Sequence, residues 1–442
     1  MKIKYLLLIP IALIQLPGFS QKTWTLEDCI TYAHDNNLQI KRQQLQAEIA
    51  DNNYFQSYLN IAPDINAHMG FSYNDGYAID PLTNNFIDNE TRNDNYSVTT
   101  NLNIFNGLQI YNNIKKNQYN TLASIQNVEK EKIELTLEIS TAYLVILFQK
   151  ELLEVNKNQL SVTELQVDRT SKLYEAGSVA KGDLLEIKSQ LANEKLNVTN
   201  AQNELNLAYL NLTQLLDLDS VGGFNILIPD TVQPDIYTSI VSANEIYADA
   251  LEYLPHIKRA EYALESYKRD LAIQRGKRSP QLYLSGNWRT GYSSNLKDQF
   301  DQNYQDQISG NENRTVSAGI VIPIFNNWQV NNSISNAKIM VSDAELQLDL
   351  TKQDLYKQIQ QAHNDAVSAK EKYLAASEAA NSYRESFKYT EQKFNVGIVN
   401  SVEYNIAKNN LTKAESDLAQ AKYEYIFQTK ILDFYRGIPI TL

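Results

Sequence analysis

Tyr174-Glu175-Ala176-Gly177-Ser178-Val179 returns 220 residues later as Phe394-Asn395-Val396-Gly397-Ile398-Val399. Ile104-Phe105-Asn106 and Ile324-Phe325-Asn326 keep that offset. Upstream, Ile40-Lys41-Arg42 matches Ile257-Lys258-Arg259, and Pro63 matches Pro280, both at an offset of 217. The change of three falls between Pro63 and Ile104, where a loop can absorb it. A fixed offset is the signature of an internal duplication.

Each six-residue stretch closes a long run without helix breakers. No Gly or Pro occurs from Leu108 to Ala176, or from Asn327 to Val396. A helix of about 70 residues reaches ~100 Å, a length that belongs to coiled coils rather than compact domains. Leu26–Ala62, Asp183–Leu218, Asn244–Arg275 and Ser401–Arg436 predict shorter helices, the third holding Pro255 near its first turns. Two of these end to end match one long helix.

Four segments alternate apolar and polar residues at period two, as half-buried strands do. Ile65, Ala67, Met69, Phe71 and Tyr73 share one face; so do Tyr96, Val98, Leu102 and Ile104. Leu282, Leu284, Trp288 and Tyr292 form a weaker third set, and Val316, Ala318, Ile320, Ile322 and Ile324 a fourth. The connections Asn74–Asn95 and Ser293–Arg314 are rich in Asn, Asp and Gln. The expected order in each copy is short helix, strand, loop, strand, long helix, turn, short helix. The copies are 21–218 and 242–442, joined by the linker 219–241.

The chain opens with Lys2 and Lys4, an apolar run and small residues to Ser20, which reads as a secretory signal peptide over 1–20. Removing its two lysines takes the formal charge from −12 to −14, which argues against nucleic acid as a partner. One cysteine, Cys29, rules out an internal disulfide framework. No later run is long and apolar enough for a membrane helix, so a membrane span here must be a barrel. Four strands cannot close one, since about eight is the practical minimum. Subunits must share it: two chains give a filled eight-stranded barrel, while three give twelve strands and a lumen.

At this point the sequence resembles the TolC-type outer-membrane efflux family. Thr25-Leu26-Glu27-Asp28-Cys29-Ile30, with Ala33 and Asn36-Asn37-Leu38, is similar to its opening helix. Leu173–Val179 followed by Asp183-Leu184-Leu185 resembles its helix–turn signature, and Phe394–Val399 repeats it. The resemblance implies a mainly α fold with a membrane β-barrel. Four strands per chain would enter a shared twelve-stranded barrel, continued by an α-helical coiled-coil tunnel in the periplasm. It implies a homotrimer in outer-membrane lipid, docked to a periplasmic adaptor and through it to an inner-membrane pump. The adaptor-docking turns would be Gly177, Ser178, Val179 and Gly397, Ile398, Val399. Glu403 aligns with an acidic position at the tunnel entrance, with Asp183 its counterpart in the first copy; the family's second acidic position is Ile406 here.

No catalytic constellation is visible. His34, His68, His256 and His363 are scattered, without metal-ligand spacing, and no Gly-rich phosphate loop occurs. No cofactor and no enzymatic activity are expected. Ala142–Phe148 is apolar on every side, whereas its mate Ala362–Ser368 is not. All-round apolarity calls for burial, and the linker is expected to supply it. The leading function is the outer-membrane duct of a tripartite efflux pump for drugs or small molecules. The exit duct of a type I protein secretion system and a periplasmic coiled-coil adaptor are the alternatives.

Overall fold

The computed structural model describes residues 23–79, 86–88, 90–219, 222–228, 234, 236–237, 239–294 and 301–441. The signal segment 1–20 and part of the linker lie outside them.

The first copy runs β1 (Thr23–Trp24), α1 (Leu26–Asn36), α2 (Leu38–Leu59), β2 (Asp64–Asn74), β3 (Tyr77–Ile79), β4 (Phe86–Asp88), β5 (Thr91–Phe105), α3 (Gln109–Glu175) and α4 (Lys181–Leu215). After β6 (Asn225–Ile226) come α5 (Ala243–Tyr253), α6 (Pro255–Gly276), β7 (Gln281–Ser293), α7 (Tyr304–Gly310), β8 (Asn313–Val321), α8 (Gln329–Asn395) and α9 (Ser401–Tyr435). The helices recur in matched lengths. Both α3 and α8 have 67 residues, and both α4 and α9 have 35. The pairs α1 and α5, and α2 and α6, match at 11 and 22 residues.

Two expected short helices are each two helices. Leu26–Ala62 breaks at Asn37, whose extended backbone ends α1 while its Oδ1 accepts from the N–H of Gln39 at 2.9 Å and of Ile40 at 3.3 Å, starting α2. Asn244–Arg275 breaks at the equivalent Leu254. Pro255 is the first residue of α6 rather than an early residue of one helix. Proline forces the residue before it out of helical backbone, and Leu254 is extended (φ −72°, ψ 127°).

The chain divides into two compact units, each built from both copies. One comprises Lys41–Glu131 and Leu254–Lys357. Its sheet has the order β2-β5-β7-β8, all antiparallel. Register carries the alternation of one strand onto the next. Ala67 faces Val98, which faces Trp288; Leu102 faces Leu284, which faces Ala318. Asn66, Thr99, Asn287 and Thr315 line up in the same way on the other face. Ile65, Met69, Phe71, Val316 and Ile320 on the apolar face are all exposed. A bulge after Asn103 leaves Ile104 unpaired and sets Phe105 opposite Leu282, so Ile104 leaves the expected apolar row. Pro323 follows the end of β8 at Val321, so Ile322 and Ile324 lie beyond the strand. The expected loops are partly ordered: β3 pairs with β4 in the first and α7 lies in the second. Around the sheet's helical end, α3 takes bonds from both sides. Thr121 donates to the Ala50 carbonyl at 3.1 Å, and Lys116 pairs with Asp270 at 2.6 Å.

The other unit holds residues up to Ile40, Lys132–Tyr253 and Gln358–Leu442. Its buried residues include Cys29, Ile139, Tyr143, Ile146, Leu212, Ile246 and Tyr425. The apolar stretch Ala142–Phe148 is buried at Ala142, Tyr143, Leu144, Ile146 and Leu147, but Val145 is 41% exposed, so burial is not all-round. Its mate buries Ala362 and Ala366, one helical face only. β1 and β6 pair in parallel beside α3, and the Tyr143 hydroxyl donates to the Leu227 carbonyl at 2.5 Å.

Candidate functional site

At the end of α3, the N–H of Ser178 bonds the carbonyl of Leu173 at 2.8 Å and that of Gly177 bonds Tyr174 at 2.9 Å. At the end of α8, Ile398 bonds Lys393 at 2.9 Å and Gly397 bonds Phe394 at 3.1 Å. Both are Schellman closures, which place the residue after the cap in left-handed backbone. Gly177 has φ 73° and Gly397 φ 78°, and a Cβ on either would meet nothing within 4 Å. Conformation alone therefore selects glycine here. The two tips differ in surface: Ser178 is exposed on the first, whereas Val396 and Ile398 are exposed on the second. Val179 and Val399 are half-buried in both.

Asp183 and Glu403 stand at matching third positions of α4 and α9, and the first turn of each helix has local reasons to want an acid. The Asp183 carboxylate accepts from the N–H of Ala180 at 3.2 Å. The N–H of Glu403 is held instead by Oδ1 of Asn400 at 2.9 Å. Glu403 is exposed and makes no ion pair among the described residues.

The two turns enclose a cavity of about 410 Å³, lined among others by Arg169, Leu173, Asp183, Phe394, Val399 and Tyr404. It thus brings Asp183, Val179, Gly397 and Val399 together and leaves Gly177, Ser178, Ile398 and Glu403 outside its wall. Arg169 spans the gap, donating to the Asn395 carbonyl at 3.0 Å and lying 5.8 Å from the Phe394 ring centre. Phe394 packs on Tyr404 at 4.7 Å, and burial pushes the Tyr404 hydroxyl up to about 12.

Sequence reasoning missed the group above the turns. Lys408 on α9 donates to Glu194 on α4 at 3.1 Å and to the Gln159 carbonyl on α3 at 3.2 Å. Thr163 on α3 bonds both, reaching Glu194 Oε2 at 2.5 Å. Burial holds the Lys408 ammonium below its ordinary value, opposed by the Glu194 carboxylate. Nothing in the local pattern of either residue marks it, because the partner lies on another helix more than 200 positions away. Among the described residues no group of His, Cys, Asp and Glu could hold a metal ion, and no helix is long and apolar enough to cross a membrane.

The family model described as outer membrane efflux protein matches residues 30–217 and again 246–433. The chain belongs to the outer membrane efflux protein family. The double match follows the duplication. The efflux protein BepC of Brucella suis is 18% identical over 413 residues, covering 93% of this chain and 85% of its own. The alkaline protease secretion protein AprF of Pseudomonas aeruginosa is 21% identical over 339 residues, 75% of this chain and 67% of its own. The fold is that of the Campylobacter jejuni CmeC outer membrane channel, at a TM-score of 0.79 and 15% identity over 93% of this chain and 85% of that one. This efflux-family chain is accordingly an outer-membrane channel protein with a periplasmic helical extension, and not an enzyme.

Proposed function

We propose that three copies close one twelve-stranded barrel and form a passive duct for drugs or small molecules, the outermost part of a tripartite pump. One observation carries this reading. Apart from Ile104, the alternating apolar residues of all four strands register on one face, which is exposed along β2 and β8, and among the described residues β2 and β8 are the edges of the sheet. Lipid on that face and neighbouring copies on those edges satisfy both demands. Three chains leave a lumen lined by Asn, Thr and Ser, which two would fill. Energy comes from an inner-membrane pump reached through a periplasmic adaptor, which docks at Gly177, Ser178, Val179 and Gly397, Ile398, Val399. Three copies of Glu403, with Asp183 behind them in the cavity wall, make the entrance acidic and favour cations.

Native mass spectrometry of detergent-extracted protein, with planar-bilayer conductance on the same sample, tests the assembly. A conducting species of three chains is expected; a conducting dimer, or a non-conducting trimer, overturns the reading. For the tips, Gly177→Arg with Gly397→Arg should abolish adaptor crosslinking while leaving the trimer intact; unchanged crosslinking and export overturn that assignment.

The likeness to AprF, a protein named for protease secretion, supports a second reading as the exit duct of a type I secretion system. Co-purification separates the two: an ATP-hydrolysing transporter on the adaptor favours secretion, a proton-driven one favours efflux.

A further inference from the structure

On the polar face of the sheet, side chains stand in rows that cross the strands. One row is His68, Ser97, Arg289 and Asn313. The next row toward the strand loops is Gly70, Asn95 and Gly291. Among the described residues of this face, Asp64, His68 and Arg289 are the only acidic or basic ones. Asp64 is already engaged: its carboxylate accepts from the Asn101 N–H at 2.6 Å and from the Asn66 amide at 3.2 Å. Its row, which contains Ser285, lies four residues from Arg289 along β7, or ~13 Å. Arg289 is exposed and makes no hydrogen bond or ion pair among the described residues.

Arg289 is the one charged residue in the wall of a cavity of about 500 Å³, where Asn95, Ser97, Asn287 and Asn311 also stand. Two glycines shape the ground beside it. A Cβ on Gly291 would lie 2.7 Å from the Asp94 carbonyl oxygen, and one on Gly70 would lie 3.3 Å from Nε2 of His68. The row of Asn95 therefore holds no second side chain, and the His68 ring lies over Gly70. The chain has 52 acidic residues against 40 basic ones, yet no acid lines this cavity.

We propose that Arg289 is the centre of an oxyanion site in the barrel lumen, taking the carboxylate or phosphate group of a molecule on its way out. The inference rests on the barrel reading above, which turns this face inward. A guanidinium presents its donors in a planar fork that matches both groups, and amides and hydroxyls around it add donors without a competing charge. Three copies make a ring of arginines, a device that selects anions in a pore. Glu403 lies in the other unit and favours cations there. Arg289→Gln and Glu403→Gln should therefore shift the reversal potential in a salt gradient in opposite directions.

The site is tested on single trimers in planar bilayers, with citrate or inorganic phosphate added to the bath. At least one probe should block the wild type, and block should weaken about tenfold in Arg289→Gln. No block of the wild type by either probe, or equal block of the variant, overturns the site. Cysteine labelling tests the barrel separately, since Cys29, the chain's one cysteine, is fully buried. A membrane-impermeant methanethiosulfonate should modify Arg289→Cys and lower its conductance, and should spare Val316→Cys on the apolar face of β8. Arg289→Cys modified while block is unchanged in Arg289→Gln overturns the site and leaves the barrel standing. If Val316→Cys is modified as readily as Arg289→Cys, the barrel reading fails and the site with it.

Discussion

Nζ of Lys408 lies 3.1 Å from Oε1 of Glu194, with both side chains almost wholly buried. The pair joins α9 to α4, and Thr163 and Gln159 add α3. Long helices with mostly exposed surfaces have few places where three meet in a dry core. Removing one partner strands a buried charge at a cost of about 3–5 kcal/mol, whereas replacing both with apolar residues is often neutral. Glu194→Ala should therefore speed hydrogen exchange in α4 and α9, and Glu194→Leu with Lys408→Met should restore most of the protection. Equal exchange in the wild type and the single variant would show that the pair contributes nothing.

The same lysine sets a pH dependence. Burial lowers its folded value below the unfolded 10.5, so between the two the unfolded state holds more protons. Stability of this region should rise with pH through that window, because unfolding there takes up protons. Above pH 10 Tyr404 acts the other way, since its folded value of about 12 lies above the unfolded 10.0 and stability falls as the unfolded tyrosine ionises. Exchange rates of α9 across the alkaline range check both signs, and Lys408→Met should remove only the rising limb.

Gly177 and Gly107 share left-handed backbone but differ in space. Gly177→Ala meets no neighbour and should cost about 1 kcal/mol. Gly107→Ala drives its Cβ into the Gly276 carbonyl and should sharply lower the yield of assembled protein. Heat resistance of the oligomer on gels compares them; similar losses would mean that backbone conformation alone matters at both sites.

Tyr143 closes the parallel β1–β6 pair through the carbonyls of Leu227 at 2.5 Å and Trp24 at 3.2 Å. Tyr143→Phe takes the hydroxyl donor from the Leu227 carbonyl, while the Trp24 carbonyl keeps the Leu227 N–H at 2.8 Å, and should cost about 1–3 kcal/mol. Limited proteolysis should then cut near β6 first; an unchanged cleavage pattern would argue that the linker is held elsewhere.

Glu403 has no ion-pair partner among the described residues, so its charge is available to a passing ion. Glu403→Gln should reduce the cation selectivity of single channels and leave oligomer stability unchanged. Asp183→Asn should act mainly through the bond to Ala180, with a smaller effect on selectivity. Selectivity unchanged in both variants would remove the acidic entrance.

Gaps between breakers marked the long helices, and alternation marked the four strands, because both periods are written in adjacent residues. The breaks at Asn37 and Leu254 were less visible. Asn37 acts through a side-chain cap that many asparagines could make, and Pro255 could equally have begun a helix a turn earlier. The bulge at Ile104 left the alternation intact in the sequence while removing one residue from the ladder. At the tips, Gly177 and Gly397 could be read from their place in the repeat. The cavity between them could not, since Arg169 and Asn395 meet only when two hairpins lie side by side.

The duplication, the two 67-residue helices and the period of each strand follow from residue order alone, because each depends on backbone preferences and spacing within a segment. Strand neighbours, the Lys408–Glu194 pair and the cover over Tyr143 belong to the folded chain. They join residues from distant segments, and no local preference chooses among the many charged or apolar partners available until packing excludes the rest. Trp328 shows both levels at once. Its repeat position is plain in the sequence, but only the folded junction shows it to be left-handed and exposed, with no side-chain partner among the described residues.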